Sequence, residues 1–137
     1  MKLTVHLTFA GRCEEAFRFY QSCLGGTIVT MLKYGDSPVE APAEWREKIL
    51  HATLVAGDLV LAGADPVEYV PPQGFFALLE VDEAAEAERL FGLLAEGGTV
   101  GMPLQETFWA ARFGVLVDQF GIPWEINCGR DVVDSRR

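Results

Sequence analysis

From Leu3 to Phe9 the chain alternates, with Leu3, Val5, Leu7 and Phe9 on one side and Thr4, His6 and Thr8 on the other. A period of two marks a half-buried strand with two unlike faces. Over Glu14 to Cys23 the period becomes helical: Ala16, Phe17, Phe19 and Tyr20 fall near one stripe, and Gly25-Gly26 stops the run. β-rich stretches follow at Thr27 to Tyr34, Ile49 to Val55 and Leu59 to Ala62, the last two separated by Ala56-Gly57-Asp58. The predicted order is β-α-β-β-β.

The order then repeats. "GGTIVTML" at Gly25 to Leu32 returns as "GGTVGMPL" at Gly97 to Leu104, an offset of 72 that also pairs Leu7 with Leu79, Phe9 with Val81 and Phe19 with Phe91. The second copy reads as strand Phe75 to Val81, helix Glu83 to Glu96, strand Thr99 to Leu104, and a hairpin of Ala111 to Val117 and Ile122 to Asn127 turning at Asp118-Gln119-Phe120-Gly121. Two such βαβββ modules, neither able to bury its own sheet, are expected to pair with sheets curved around a shared cleft and helices outside, an α+β architecture. The apolar side of the first strand then packs under the helix, and Thr4, His6 and Thr8 face the cleft. One domain over residues 1–128 is expected, made of module 1–64 and module 75–128. Its connector, 65–74, carries three prolines and a glycine, and a polar tail at 129–137 is expected to be disordered. The acidic stretch Asp36 to Lys48 has the length of a functional loop such as a lid.

Composition narrows the function. A formal net charge of −9 disfavours nucleic acid and anionic membrane surfaces. No apolar run approaches the roughly 20 residues of a spanning helix, and the first ten residues alternate instead of forming a leader, so a cytoplasmic location is expected. Cys13, Cys23 and Cys128 are odd in number and widely spaced, which argues against a disulfide framework. They read as packed residues, with Cys13 alone placed where a helix start favours a thiolate. The glycine pairs end helices rather than open them, so they offer no phosphate cradle, and no G-x-G-x-x-G follows a strand.

Three segments carry a family likeness: "LTFAGRCEEAFRFYQSCLGG" at Leu7 to Gly26, "HATLVAGDLVLAGAD" at His51 to Asp65, and "LLAEGGTVGMPLQETFWAARFGVLVDQFGIPWEIN" at Leu93 to Asn127. With them the chain resembles the vicinal oxygen chelate superfamily of glyoxalases, extradiol dioxygenases, and bleomycin and fosfomycin resistance proteins. Its D-x-F-G-x-x-W run is similar to the PhnB-like (demethylubiquinone methyltransferase-like) branch. The resemblance implies a glyoxalase/bleomycin resistance-like fold and, in metal-dependent members, a divalent metal held from the first and last strands of each module, acting as a Lewis acid.

Glu125 matches the superfamily's carboxylate position on the last strand. Aligning Gly57 with Gly121 puts Leu61 at the corresponding place in the first module, and leucine cannot ligate a metal. On the first strands the ligand position falls at Thr4, Val5 or His6, and near Phe76 or Leu78. The fullest metal set is therefore His6 with Glu125, where a catalytic site normally wants three protein ligands. His51 shares the mixed face with Thr53, as a third ligand or as a polar lining residue. The metal-free alternative is a small-molecule pocket in which Thr4, His6, His51 and Glu125 orient a ligand against Phe76 and Trp109. Trp109 reads equally as a core or dimer seal, Trp124 as facing the helices, and Arg112 as a surface ion-pair partner or an anion contact. The expected function is small-molecule binding by a homodimer without a complete metal site or other cofactor. The alternative is a divalent-metal-dependent lyase, isomerase or dioxygenase using His6 and Glu125.

Overall fold

The computed structural model describes residues 1–129 and divides them into two compact units, one of Met1 to Pro71 and one from Pro72 onward. The first comprises β1 (Val5–Thr8), α1 (Cys13–Leu24), β2 (Thr27–Lys33), β3 (Ile49–Ala56) and β4 (Leu59–Ala64). The second comprises β5 (Ala77–Val81), α2 (Ala84–Ala95), β6 (Thr99–Gln105), β7 (Ala110–Val117) and β8 (Pro123–Gly129). Each is a βαβββ unit with a mixed four-stranded sheet, ordered β1-β4-β3-β2 in the first and β5-β8-β7-β6 in the second. In both, the first strand runs parallel to the last, and the remaining ladders are antiparallel. The α+β class is as the periodicity predicts. Gly129 ends β8, and the rest of the expected tail, 130–137, lies outside the described residues.

Each helix is amphipathic and covers one face of its own sheet. Cys13, Ala16, Phe17, Tyr20 and Cys23 of α1 are buried, as are Ala87, Leu90, Phe91 and Leu94 of α2, the spacing of a single helical stripe. Phe9, Phe17 and Tyr20 meet with ring centroids 6.1 to 6.3 Å apart. Burying each such side chain contributes about 2 kcal/mol. Leu3 does not join this core. It lies before β1 and is 95% exposed, so the apolar side of the strand starts at Val5.

The repeated glycine pair has a packing reason. Gly25 and Gly97 take φ of 77° and 72° just beyond the helices, in the left-handed region that glycine enters without strain. A Cβ on Gly26 would collide with the Val55 carbonyl, and one on Gly98 with the Val117 carbonyl, so the chain leaving each helix passes tightly against the end of the unit's third strand.

Asp65, read from sequence as the start of the connector, is a keystone of the first unit. Its Oδ1 accepts the Cys13 N–H at 2.9 Å and its Oδ2 the Ile49 N–H at 3.0 Å, while its carbonyl accepts Tyr34 Oη–H and Trp45 Nε1–H. No side chain next to α1 caps it, so this distant carboxylate satisfies the first helical N–H. The same contacts pin the stretch considered as a lid. Tyr34 N–H donates to Lys48 O, Gly35 N–H to Arg46 O, and Lys33 pairs with Glu47 at 2.9 Å, closing the two ends of the loop on each other.

Candidate functional site

The face of each sheet turned away from its helix carries the polar residues that alternation assigns to it. In the first unit His6 pairs with Ala62 and Ala62 with Thr53, so the three form a row across β1, β4 and β3. His51 lies two residues before Thr53 and shares that face. The two histidine rings approach to 6.4 Å with planes 27° apart. Thr53 Oγ1 and His51 Nε2 are hydrogen-bonded at 3.2 Å, which orients the second ring. Partial desolvation of this largely exposed side chain, and then the neighbouring His51, holds the His6 imidazole below its ordinary value of 6.5. Thr4 precedes β1 and is exposed.

In the second unit Glu125 sits between Leu78 of β5 and Val115 of β7, on the face away from α2. Asn127 continues that face, between Glu80 and Phe113. The Phe113 ring lies 5.3 Å from Trp109, and Trp109 lies 4.9 Å from Phe108, both pairs edge to face. Trp109 is 43% and Phe108 89% exposed, so the aromatic row runs from the sheet out to solvent. Phe76, also exposed, immediately precedes β5. The structure thus brings His6 together with His51 in one unit, and places Glu125 in the other beside Asn127 and Phe113. Sequence reading passed over Asn127 and Phe113, although period two from Glu125 reaches Asn127 directly.

The strand register corrects one sequence alignment. Val5 pairs with Leu61 and Ala77 with Trp124, and Val5 and Ala77 are equivalent in the repeat. Leu61 is therefore the counterpart of Trp124, both facing the helices, and Ala62 is the counterpart of Glu125. Anchoring on Gly57 and Gly121 slips by one residue because Gly57-Asp58 is a two-residue turn, whereas Asp118 to Ile122 is a five-residue one. A slip of one puts a strand residue on the wrong face. The equivalent positions of the first and last strands are then His6, Ala62, Leu78 and Glu125. Alanine and leucine offer a metal nothing, and among the described residues no three His, Cys, Asp or Glu side chains gather as a ligand set. The residues present do not fit a complete four-ligand cage.

Three further candidates resolve plainly. Cys13 is the first residue of α1, but it is fully buried. Burial, followed by the charges of Asp65 and Glu14, pushes its thiol far up, so desolvation overrides the helix-start effect. Trp124 is buried on the α2 face, as its phase predicts, and Arg112 shares that face by register and donates to the adjacent Ala111 carbonyl at 2.7 Å. Two hollows of the first unit, about 350 Å³ beside the start of α1 and about 330 Å³ within 34–46, are lined by none of the predicted site residues.

The sequence profile of the Glyoxalase/Bleomycin resistance protein/Dioxygenase superfamily matches residues 4–126. The chain belongs to this superfamily. It is 34% identical to the Escherichia coli (strain K12) protein YjdN, over 93% of this chain and 95% of that one. The crystal structure of protein PA1353 from Pseudomonas aeruginosa is similar with a TM-score of 0.89 and 48% identity, over 96% of this chain and 99% of the other. The PhnB protein of Bacillus cereus follows at a TM-score of 0.76 and 25% identity, covering 94% and 100%. The superfamily assignment and the PhnB-like resemblance thus agree with the βαβββ repeat, and no described helix is long and apolar enough to cross a membrane.

Proposed function

We propose that this superfamily member binds a small molecule on the sheet faces turned away from its helices, without a complete set of metal ligands. The observation that carries this is the identity of the equivalent positions in the two units, His6 and Ala62 in the first and Leu78 and Glu125 in the second. The strand positions from which the superfamily resemblance implies a metal cage are half apolar. The same faces carry groups suited to a ligand: two histidines, a carboxylate, an amide and a ladder of aromatic rings. In this reading Thr4, His6, His51, Phe76, Trp109 and Glu125 contribute to binding, and the two units serve one domain.

We infer a homodimer from the family likeness and from exposed Phe75, Phe76 and Phe108, and a cytoplasmic location from three buried cysteines that form no disulfide among the described residues. The test is metal analysis of protein purified without chelator, joined to a thermal-shift screen of small molecules on wild type, His6→Ala and Glu125→Ala. The expected result is no stoichiometric metal, ligands that raise the melting temperature, and weakened binding in the variants. Stoichiometric divalent metal in the wild type, lost from both variants, would overturn it.

A further inference from the structure

Asn127 Oδ1 is buried and has no hydrogen-bond partner among the described residues. A buried acceptor left unpaired loses its hydration without compensation, so such an atom calls for a donor that the described chain does not supply, an ordered water or a ligand. Its surroundings define that donor. Register sets Glu80 on one side of Asn127 and Phe113 on the other, and Glu125 lies two residues along the same face. Glu80 is directly opposed to Asn127, a pairing that sets side chains about 5 Å apart, and Glu125 lies about 7 Å along the same strand, so two carboxylates and the amide share one face. Phe113 borders the patch and continues into Trp109 and Phe108. Acceptors beside aromatic faces favour a cation carrying N–H donors, through charge, hydrogen bonding and the ring quadrupole together. The net charge of −9 draws such a molecule in.

We propose that this face of the second unit binds an organic cation, an amine or amidine on an apolar or aromatic body. Asn127 turns its Oδ1, sealed from solvent in the free chain, to accept the N–H group, Glu125 and Glu80 balance the charge, and the body lies against Phe113 and Trp109. The proposal rests on the small-molecule reading above and names the ligand class for it.

The probes are benzamidine, benzyl alcohol and benzoate, which share a ring and differ in charge, titrated into the full chain and followed by two-dimensional amide and indole NMR. Benzamidine is expected to shift the Asn127 side-chain amide and the Trp109 indole, and to bind at least about tenfold more tightly than benzyl alcohol, with benzoate weakest. Asn127→Leu is expected to lower benzamidine affinity about tenfold and Glu125→Gln to lower it severalfold, while Asn127→Asp, which keeps the shape and adds a charge, tightens binding. If Asn127→Leu does not fold, the gain from Asn127→Asp decides. Equal binding of the three probes, a preference for benzoate, or no binding of benzamidine overturns the cation assignment. Unchanged affinity in Asn127→Leu overturns it too, and leaves Oδ1 to an ordered water. A neutral or anionic hit from the thermal-shift screen that shifts the same resonances would sink this proposal and leave the binding reading standing.

Discussion

Trp124 donates its indole N–H to Asp118 Oδ2 at 2.8 Å, with both residues buried, while Asp118 Oδ1 accepts the N–H groups of Phe120 and Ile122. The D-x-F-G-x-x-W run that marks the family branch is thus a closed turn. It fixes where β8 starts, and so which of its residues face away from α2. Its chemistry is structural, which explains why the most distinctive motif of the chain holds no candidate site residue, Glu125 following immediately after it. Asp118→Ala removes the acceptor for three buried donors and is expected to cost about 3 kcal/mol or more, while Trp124→Phe costs about 2 kcal/mol. Urea unfolding of the two variants measures both, and equal stability of Asp118→Ala and wild type would refute the turn's role.

Much of this was legible in the chain. Alternation placed His6, His51 and Glu125 on the faces away from the helices, and the glycine repeat exposed the duplication. The meeting of His6 with His51 was not legible, because it depends on β4 inserting between β1 and β3 and presenting an alanine there. The counterpart of Glu125 was misplaced because two turns of different length cannot be told apart by their glycines. The unpaired oxygen of Asn127 depends on what surrounds it in three dimensions, which no periodicity reports.

The histidine pair has a pH signature. Partial desolvation and the charge of His51 both disfavour the protonated form of His6, so its folded-state pKa lies below 6.5. A depressed pKa means that the folded state binds this proton less readily than the unfolded chain. The contribution to stability is present above pH 6.5 and is lost as pH falls through the folded value. NMR titration of the ring protons is expected to give a His6 midpoint below 6.5, and His51→Ala to move it upward. A midpoint unmoved by His51→Ala would leave partial desolvation as the sole cause.

Asp65 joins the start of α1, the start of β3 and the 34–48 stretch through one residue. Asp65→Ala removes both acceptors and leaves the Cys13 and Ile49 N–H groups unpaired. The expected loss is about 2 kcal/mol. Hydrogen exchange should show it at Cys13 and Ile49 together, because both amides bond this carboxylate. Faster exchange at only one of them would mean that the two segments are anchored separately.

Gly114 gives the sharpest packing test. A Cβ there would lie 2.6 Å from Phe91 Cε2 and 3.0 Å from the Leu104 backbone, so α2 and β6 both press on this point of β7. A methyl group has no free volume and displaces the ring or the strand. Gly114→Ala is expected to destabilise the chain by about 2 kcal/mol, the usual cost of overpacking a filled core. Gly92→Ala is the control, since nothing lies within 4 Å of its Cβ position and alanine favours a helix. Thermal melts should therefore move in opposite directions for the two variants, and a neutral Gly114→Ala would show that α2 is free to shift away from the sheet.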